Sequence, residues 1–132
     1  MESMECEVIG TEIGDSKASN TVRWDFNIQN PKWIRRFDFV YSNAFDHAYR
    51  PRQTLRVWAE QVKKGGHIII EYDKRNEHTG EVSKKVNKID PVSITIGEAE
   101  TLFPKWIDCT LKVIDLPVVG IGYQKALIMR VK

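Results

Sequence analysis

The chain has 132 residues, of which 42% are hydrophobic and 29% charged, and this length and composition suit one globular domain with a hydrophobic core. Twenty Lys and Arg residues against 18 Asp and Glu leave a net charge of +2, too small to support sequence-independent binding of nucleic acid. No run approaches the roughly 18 consecutive apolar residues of a membrane span, and the start lacks the pattern of a signal peptide. We therefore expect a cytoplasmic protein with neither a membrane nor a nucleic-acid partner.

The cysteine and histidine residues show no spacing that would hold a metal ion. Cys6 and Cys109 lie far apart without CxxC spacing, which predicts neither a disulfide framework nor a zinc site. We expect both to be buried free thiols. His67 begins a predicted strand and His78 lies in a polar stretch, with no third ligand at a suitable distance along the chain. The sequence therefore predicts no metal site.

Short β-rich runs alternate with helical patterns along the whole chain, without an internal repeat or a linker. Each run is rich in β-branched or aromatic residues, and several are bounded by Gly, Pro, Asn or Asp. A single domain is therefore expected over residues 1–132. The predicted strands, in chain order, are Glu7 to Ile13, Thr21 to Phe26, Phe37 to Ser42, His67 to Tyr72, Trp106 to Ile114 and Tyr123 to Val131.

The clearest helical pattern runs from about Pro51 to Lys63, between the third and fourth predicted strands. Apolar residues recur there at i, i+3, i+4 and i+7, which predicts one buried stripe. Pro51 suits a first helical turn, and Gly65-Gly66 is expected to supply the left-handed residue that ends the helix. The predicted stripe consists of Leu55, Trp58, Ala59 and Val62.

A second, shorter helix is predicted over Gly97 to Phe103, because Thr95 and Glu98 fit a Thr-x-x-Glu capping box. A further helical turn is expected around Pro31 to Arg36. The four tryptophans are expected to pack in the core and between helices rather than to form a substrate cage.

The arrangement of the strands follows from their composition and from what separates them. The run His67 to Tyr72 is almost continuously apolar, as in a strand that is covered on both faces of a mainly parallel sheet. No helix separates the last two predicted strands, which favours an antiparallel pair. The sequence thus predicts an α/β fold whose mainly parallel sheet ends in a C-terminal antiparallel hairpin.

Two segments resemble motifs of one known family. Residues 37–47, FDFVYSNAFDH, and residues 62–71, VKKGGHIIIE, are similar to the fourth and fifth strands of class I S-adenosylmethionine-dependent methyltransferases, with the predicted helix between them. Upstream, Glu7 to Ile13 resembles the second strand of that family and Val22 to Phe26 the third. The resemblance covers about residues 6 to 131 and implies a Rossmann-like sheet with the strand order 3-2-1-4-5-7-6.

One part of the family pattern has no counterpart in the sequence. The family begins with a strand that ends in a glycine-rich DxGxGxG-like loop, and no segment of this chain matches either. We therefore predict a truncated domain that lacks strand 1. An unpaired buried backbone group costs about 1 to 3 kcal/mol, so the vacancy must be filled. Either strand two closes onto strand four, or a second copy contributes pairing in a homodimer, which we favour.

The resemblance also implies S-adenosylmethionine as the cofactor, bound in the crevice outside the carboxyl ends of the strands. It places the ribose hydroxyls at Glu12, with Ile13 as a further cofactor-binding candidate, and the adenine at Asp25 and Phe26. Asp46 and His47 form the one acid and imidazole pair near this crevice and are candidates for proton transfer, although a structural role or an adenine contact is favoured for His47. The cofactor-binding candidates after the fourth strand are Ser42, Asn43, Ala44 and Phe45.

Two functions from different classes remain open. The first is a methyltransferase that acts on a small molecule, with its activity in doubt because the glycine-rich loop is missing. The second is a degenerate or truncated methyltransferase-like module with a structural or interaction role. A nicotinamide-dependent dehydrogenase is disfavoured, since its glycine fingerprint is missing as well.

Overall fold

The computed structural model describes residues 6–12, 20–43, 45, 48–73, 94–116 and 124–132. These residues form an α/β fold, as predicted. A single turn of 3-10 helix at Pro31–Trp33 takes the place of the predicted turn over Pro31 to Arg36. The strands and helices are β1 (Gly10–Glu12), β2 (Thr21–Arg23), β3 (Phe37–Ser42), α1 (Pro51–Gln61), β4 (Val62–Asp73), α2 (Ile96–Trp106), β5 (Cys109–Asp115) and β6 (Gln124–Val131).

Four of the strands form one sheet in the order β3-β4-β6-β5. β3 and β4 run parallel, whereas β6 lies between β4 and β5 and is antiparallel to both. The predicted antiparallel pairing of the last two strands is present. The expectation of a mainly parallel sheet does not hold for these four strands, because the insertion of β6 makes two of the three ladders antiparallel.

The first two strands form a separate two-stranded parallel sheet, in which Gly10 pairs with Thr21 and Glu12 with Arg23. Within the described residues, no strand pairing joins β1 to β3. The alternative in which the second strand closes directly onto the fourth is therefore not seen among these residues, where the partner of β3 is β4.

Helix α1 ends at Gln61, two residues before the predicted end, and Gly65-Gly66 does not close it. β4 begins directly at Val62, and its ladder with β3 shifts register between Phe37 and Phe39. Gly65 has a φ of 81° in this irregular stretch. A Cβ on Gly66 would lie 2.6 Å from the carbonyl oxygen of Asp38. The two glycines therefore serve a bulge at the start of the strand.

The residues that end α1 come from the segment before β3. The last carbonyl groups of a helix lack partners within it. The backbone N-H of Val62 donates to the carbonyl oxygen of Trp58, and one guanidinium nitrogen of Arg35 donates to that of Ala59 at 2.9 Å. The backbone N-H groups of Arg35 and its neighbour donate to the carbonyl oxygens of the last two helical residues at 2.8 and 3.0 Å. Every carbonyl of the last turn is thus satisfied.

The hydrophobic core lies between one face of the four-stranded sheet and the two helices. All four residues of the predicted stripe are buried, but only the first three lie on α1, because Val62 is already the first residue of β4. The predicted cap of α2 is confirmed in part, because the Thr95 hydroxyl accepts from the N-H of Glu98. The largest side chains that are fully buried are Phe103, Leu55, Ile68, Ile70, Leu127, Met129, Val62 and Thr54.

The two cysteines differ in exposure. Cys109 is buried, as predicted, whereas Cys6 is exposed, which corrects the expectation of two buried thiols. Cys6 precedes the short strand β1, whose residues are half-buried or exposed, while Cys109 begins β5 on the helical side of the sheet. Burial, followed by the charge of Asp108, raises the pKa of the Cys109 thiol. Neither of the helices that the structure describes is long and apolar enough to cross a membrane.

Candidate functional site

The carboxyl ends of β1 and β2 bring two acidic side chains to the same edge of their sheet. Glu12 is the last residue of β1, and Asp25 follows the end of β2 by two residues. The strands are parallel, and the N-H of Trp24 donates to the carbonyl oxygen of Glu12 at 2.9 Å. The Glu12 side chain is exposed and that of Asp25 is half-buried. Both carboxylates therefore lie at the carboxyl end of this two-stranded parallel sheet.

The turn after β2 is held in place by Asp25 itself. One oxygen of its carboxylate accepts from the backbone N-H of Asn27 at 2.9 Å and from the side-chain amide of Asn27 at 2.8 Å. The side-chain oxygen of Asn27 in turn accepts a hydrogen bond from the Thr54 hydroxyl, which lies in α1. Because Thr54 is fully buried, this bond fastens the turn to the first half of the helix.

The segments that follow β2 and β3 meet at Trp58. The ring centroids of Phe26 and Phe45 lie 5.5 and 5.7 Å from that of Trp58. The indole N-H of Trp58 donates to the carbonyl oxygen of Phe26 at 3.2 Å. Phe45 also contacts Phe103 of α2, with 5.6 Å between ring centroids. These rings pack together beneath the ends of the two strands. Trp58 is buried among them, which agrees with the prediction that the tryptophans pack in the core.

The residues at the end of β3 divide between core and surface. Ser42 is buried, Asn43 is exposed and Phe45 is 6% exposed, so only the Asn43 side chain faces solvent. The structure therefore brings polar side chains to the ends of three strands, at Glu12, Asp25 and Asn43. Four further candidates, Ile13, Ala44, Asp46 and His47, lie outside the described residues.

Two residues that support the turn after β2 were not singled out from the sequence. Thr54 and Gln53 both bond to Asn27, the latter at 3.4 Å to its carbonyl oxygen. Thr54 could have been found, because it is a polar residue four positions before Trp58, on the stripe that faces the core. Tyr41, near the end of β3, has its pKa raised by burial and by a hydrogen bond to Glu71. No cluster of three metal-binding side chains occurs in the part of the chain that the structure describes.

The chain is similar to known proteins in its fold. No family model and no curated protein matches the chain. A protein of Thermotoga maritima described as an S-adenosylmethionine-dependent methyltransferase, possible histamine N-methyltransferase, matches with a TM-score of 0.63 and 17% identity, over 85% of this chain and 63% of that one. The chain thus spans less than two thirds of that neighbour.

Two further structures agree with the first. The structure of the Haloferax volcanii Trm112 methyltransferase activator in complex with a protein classed as a methyltransferase matches with a TM-score of 0.59 and 18% identity, over 89% of this chain and 63% of that one. The CurJ carbon methyltransferase matches with a TM-score of 0.56 and 13% identity, over 83% of this chain and 34% of that one. The chain therefore has the fold of class I S-adenosylmethionine-dependent methyltransferases over most of its length.

Proposed function

We propose that the chain binds S-adenosylmethionine at the carboxyl ends of β1, β2 and β3, and that it acts as a methyltransferase on a small molecule. The observation that carries the proposal is the convergence of the segments after β2 and β3 on Trp58, through Phe26 and Phe45. This convergence supports one crevice that serves several strand ends, as ligand binding in a doubly wound sheet requires.

The side chains at this crevice suit a nucleoside. Glu12 offers two carboxylate oxygens, which can accept hydrogen bonds from two neighbouring hydroxyls of a ribose. Asp25 can accept from the exocyclic amine of an adenine, while its other bonds to Asn27 fix its direction. Asn43 is exposed and offers both a donor and an acceptor.

Methyl transfer demands alignment more than covalent chemistry. When bound, S-adenosylmethionine would supply a methyl group on a positively charged sulfur. The nucleophile would bond to the methyl carbon, in line with the carbon–sulfur bond, and the sulfur would leave. In this proposal Glu12 and Asp25 fix the position of the nucleoside, and the aromatic base around Trp58 keeps the strand ends together. Asp46 and His47 are proposed to accept a proton where the acceptor must lose one. Ile13 and Ala44 are proposed to contact the cofactor through their backbone.

Calorimetric titration with S-adenosylhomocysteine tests the proposal. We expect measurable binding by the unaltered chain, and Glu12→Ala should weaken it by more than about tenfold because the ribose loses both acceptors. Glu100→Ala is the matched control, since Glu100 is an exposed carboxylate on α2 and should leave the affinity unchanged. Equal affinities in all three proteins would refute the ribose assignment.

The second candidate is a module with a structural or interaction role that does not bind the cofactor. Two observations favour it: the sequence has no match to the glycine-rich loop, and Phe45 is enclosed in the core between Trp58 and Phe103. The same titration separates the two candidates. No heat and no thermal shift at millimolar S-adenosylhomocysteine would leave only the module.

A further inference from the structure

A cleft of about 460 Å³, which we call the arginine cleft, lies between the first half of α1 and the end of α2. Cavities of roughly 300 to 1,000 Å³ are of the size that holds a small organic molecule. Three of the described residues that line this cleft are arginines, and a tryptophan lines it from the side of α2. The lining residues are Arg50, Pro51, Arg52, Gln53, Arg56 and Trp106.

The three arginines are brought to the cleft by their positions at the start of α1. Arg50 is the N-cap residue, directly before the helix begins at Pro51, and its carbonyl oxygen accepts from the N-H of Thr54 at 2.9 Å. Arg52 and Arg56 lie one helical turn apart at i and i+4, so their side chains leave the same face of the helix. All three arginines are exposed. Their guanidinium groups therefore line one volume that solvent can enter.

Two of the lining residues are fixed by contacts with α2. The Nε group of Arg56 donates to the carbonyl oxygen of Trp106 at 3.3 Å, which uses one of the five N-H donors of this guanidinium. The ring centroid of Trp106 lies 5.4 Å from that of Phe103, a residue that is 1% exposed. Trp106 itself is half-buried. The aromatic side of the cleft is thus preformed, and one guanidinium is positioned before a ligand binds.

The electrostatics of this end of α1 favour an anion. Two like charges at i and i+4 destabilise a helix, and Arg52 and Arg56 form such a pair. The first turn of α1 has no acidic residue, although the N-terminus of a helix is the positive end of its dipole. The first turn of α2, in contrast, contains Glu98. An anion in the arginine cleft would reduce the repulsion between the guanidinium groups and would interact favourably with the dipole of α1.

We propose that the arginine cleft binds the phosphate group of a small organic molecule whose planar ring rests against Trp106. A phosphate monoester has three terminal oxygens and up to two negative charges, which several guanidinium groups can bind together. A carboxylate has two oxygens and one charge, and therefore satisfies fewer of them. S-adenosylmethionine carries no phosphate, so this ligand differs from the cofactor proposed above. The proposal holds whether or not the chain binds that cofactor.

Calorimetric titration with phenyl phosphate at low ionic strength tests the site. At about pH 7.5 this probe is a dianion, because the second pKa of a phosphate monoester is about 6. We expect a dissociation constant below about 1 mM. Inorganic phosphate lacks the ring and benzoate has a single charge, so each should bind at least about tenfold more weakly. The absence of heat with phenyl phosphate at about 10 mM, or equal affinities for phenyl phosphate and benzoate, would overturn the proposal.

A pair of variants with the same change of charge tests the location of the site. Arg52→Gln should weaken the binding of phenyl phosphate at least about fivefold, because it removes a guanidinium from the cleft and keeps a residue that suits a helix. Arg130→Gln is the matched control, since it neutralises an exposed arginine of β6 outside the cleft and should change the affinity less than about twofold. Circular dichroism verifies that both variants are folded. Equal weakening by the two variants would show a general attraction of anions to the chain and would contradict a site in the cleft.

A third variant tests the place of the ring. Trp106→Leu removes the indole but keeps the backbone carbonyl to which Arg56 donates. It should lower the affinity for phenyl phosphate to that for inorganic phosphate, and the affinity for inorganic phosphate should stay the same. A preference for phenyl phosphate that survives in Trp106→Leu would refute the contact between the ring and Trp106.

Discussion

The two faces of the four-stranded sheet are built from alternating residues of the same strands, yet they differ sharply in burial. On the helical face Ile68 and Leu127 are at most 1% exposed, whereas their neighbours Ile69 and Ile128 are half-buried on the other face. Phe39 and Tyr41 on that second face are about half exposed. The contrast teaches that one face holds the described fold together, while the other presents apolar surface.

The largest effect should come from truncation on the helical face. Leu127→Ala removes a fully buried side chain and should lower the free energy of unfolding by about 2 to 5 kcal/mol. Ile128→Ala, one residue further along β6, should cost less than about 1.5 kcal/mol because its site is already partly hydrated. Urea denaturation of both variants gives the two values, measured at one chain concentration so that any association contributes equally. Equal losses would break the comparison of the faces.

A smaller effect is expected at Arg35, which holds the end of the helix that covers the inner face. Arg35→Ala removes the guanidinium bonds to the carbonyl oxygens of Ala59 and Val62, at 2.9 and 3.0 Å, and should cost about 1 to 2 kcal/mol. Arg35 has a φ of 53°, a left-handed conformation that suits glycine. Arg35→Gly should therefore destabilise by about 0.5 to 1 kcal/mol less than Arg35→Ala. Thermal unfolding of both variants measures the difference, and a less stable glycine variant would contradict it.

The mildest test changes no residue and compares the two thiols. Cys109 lies on the helical face with a raised pKa, whereas Cys6 is exposed. Alkylation at pH 8 should modify Cys6 at least about a hundredfold faster, since Cys109 must be both uncovered and ionised to react. Urea should abolish the difference by exposing both. Peptide mass spectrometry over time follows each site. Rapid modification of Cys109 in the folded chain would show that the helical face of the sheet is accessible to solvent.

The sequence predicts the inner face well because its signals are local. The stripe through Leu55 and Trp58 follows from helical periodicity, and the cap at Thr95 follows from a four-residue motif. The outer face could not be predicted in the same way. Ile68, Ile69 and Ile70 are consecutive apolar residues, so the pattern does not distinguish the covered side from the exposed one.

The end of α1 and the details of the site depend on contacts between distant residues. Gly65 has the left-handed conformation that the sequence predicts, but it belongs to a bulge and not to the end of the helix. The helix is ended by Arg35, which lies 24 positions before Ala59, to which it bonds. Glu12 and Asp25 could be placed near strand ends from the β-rich runs that contain them, although β2 ends at Arg23, three residues before the predicted end. The link from Asn27 to Thr54 could not, because it joins residues 27 positions apart.

The order of Arg35 and α1 along the chain has a consequence for biosynthesis. Protein chains are made from the N-terminus, at about 5 to 20 residues per second. The groups that terminate α1 therefore leave the ribosome before the helix itself does. As soon as the last turn of α1 emerges, Arg35 and Arg36 are already available to bond its carbonyl groups. The helix can therefore end at Gln61 before β6 has been translated.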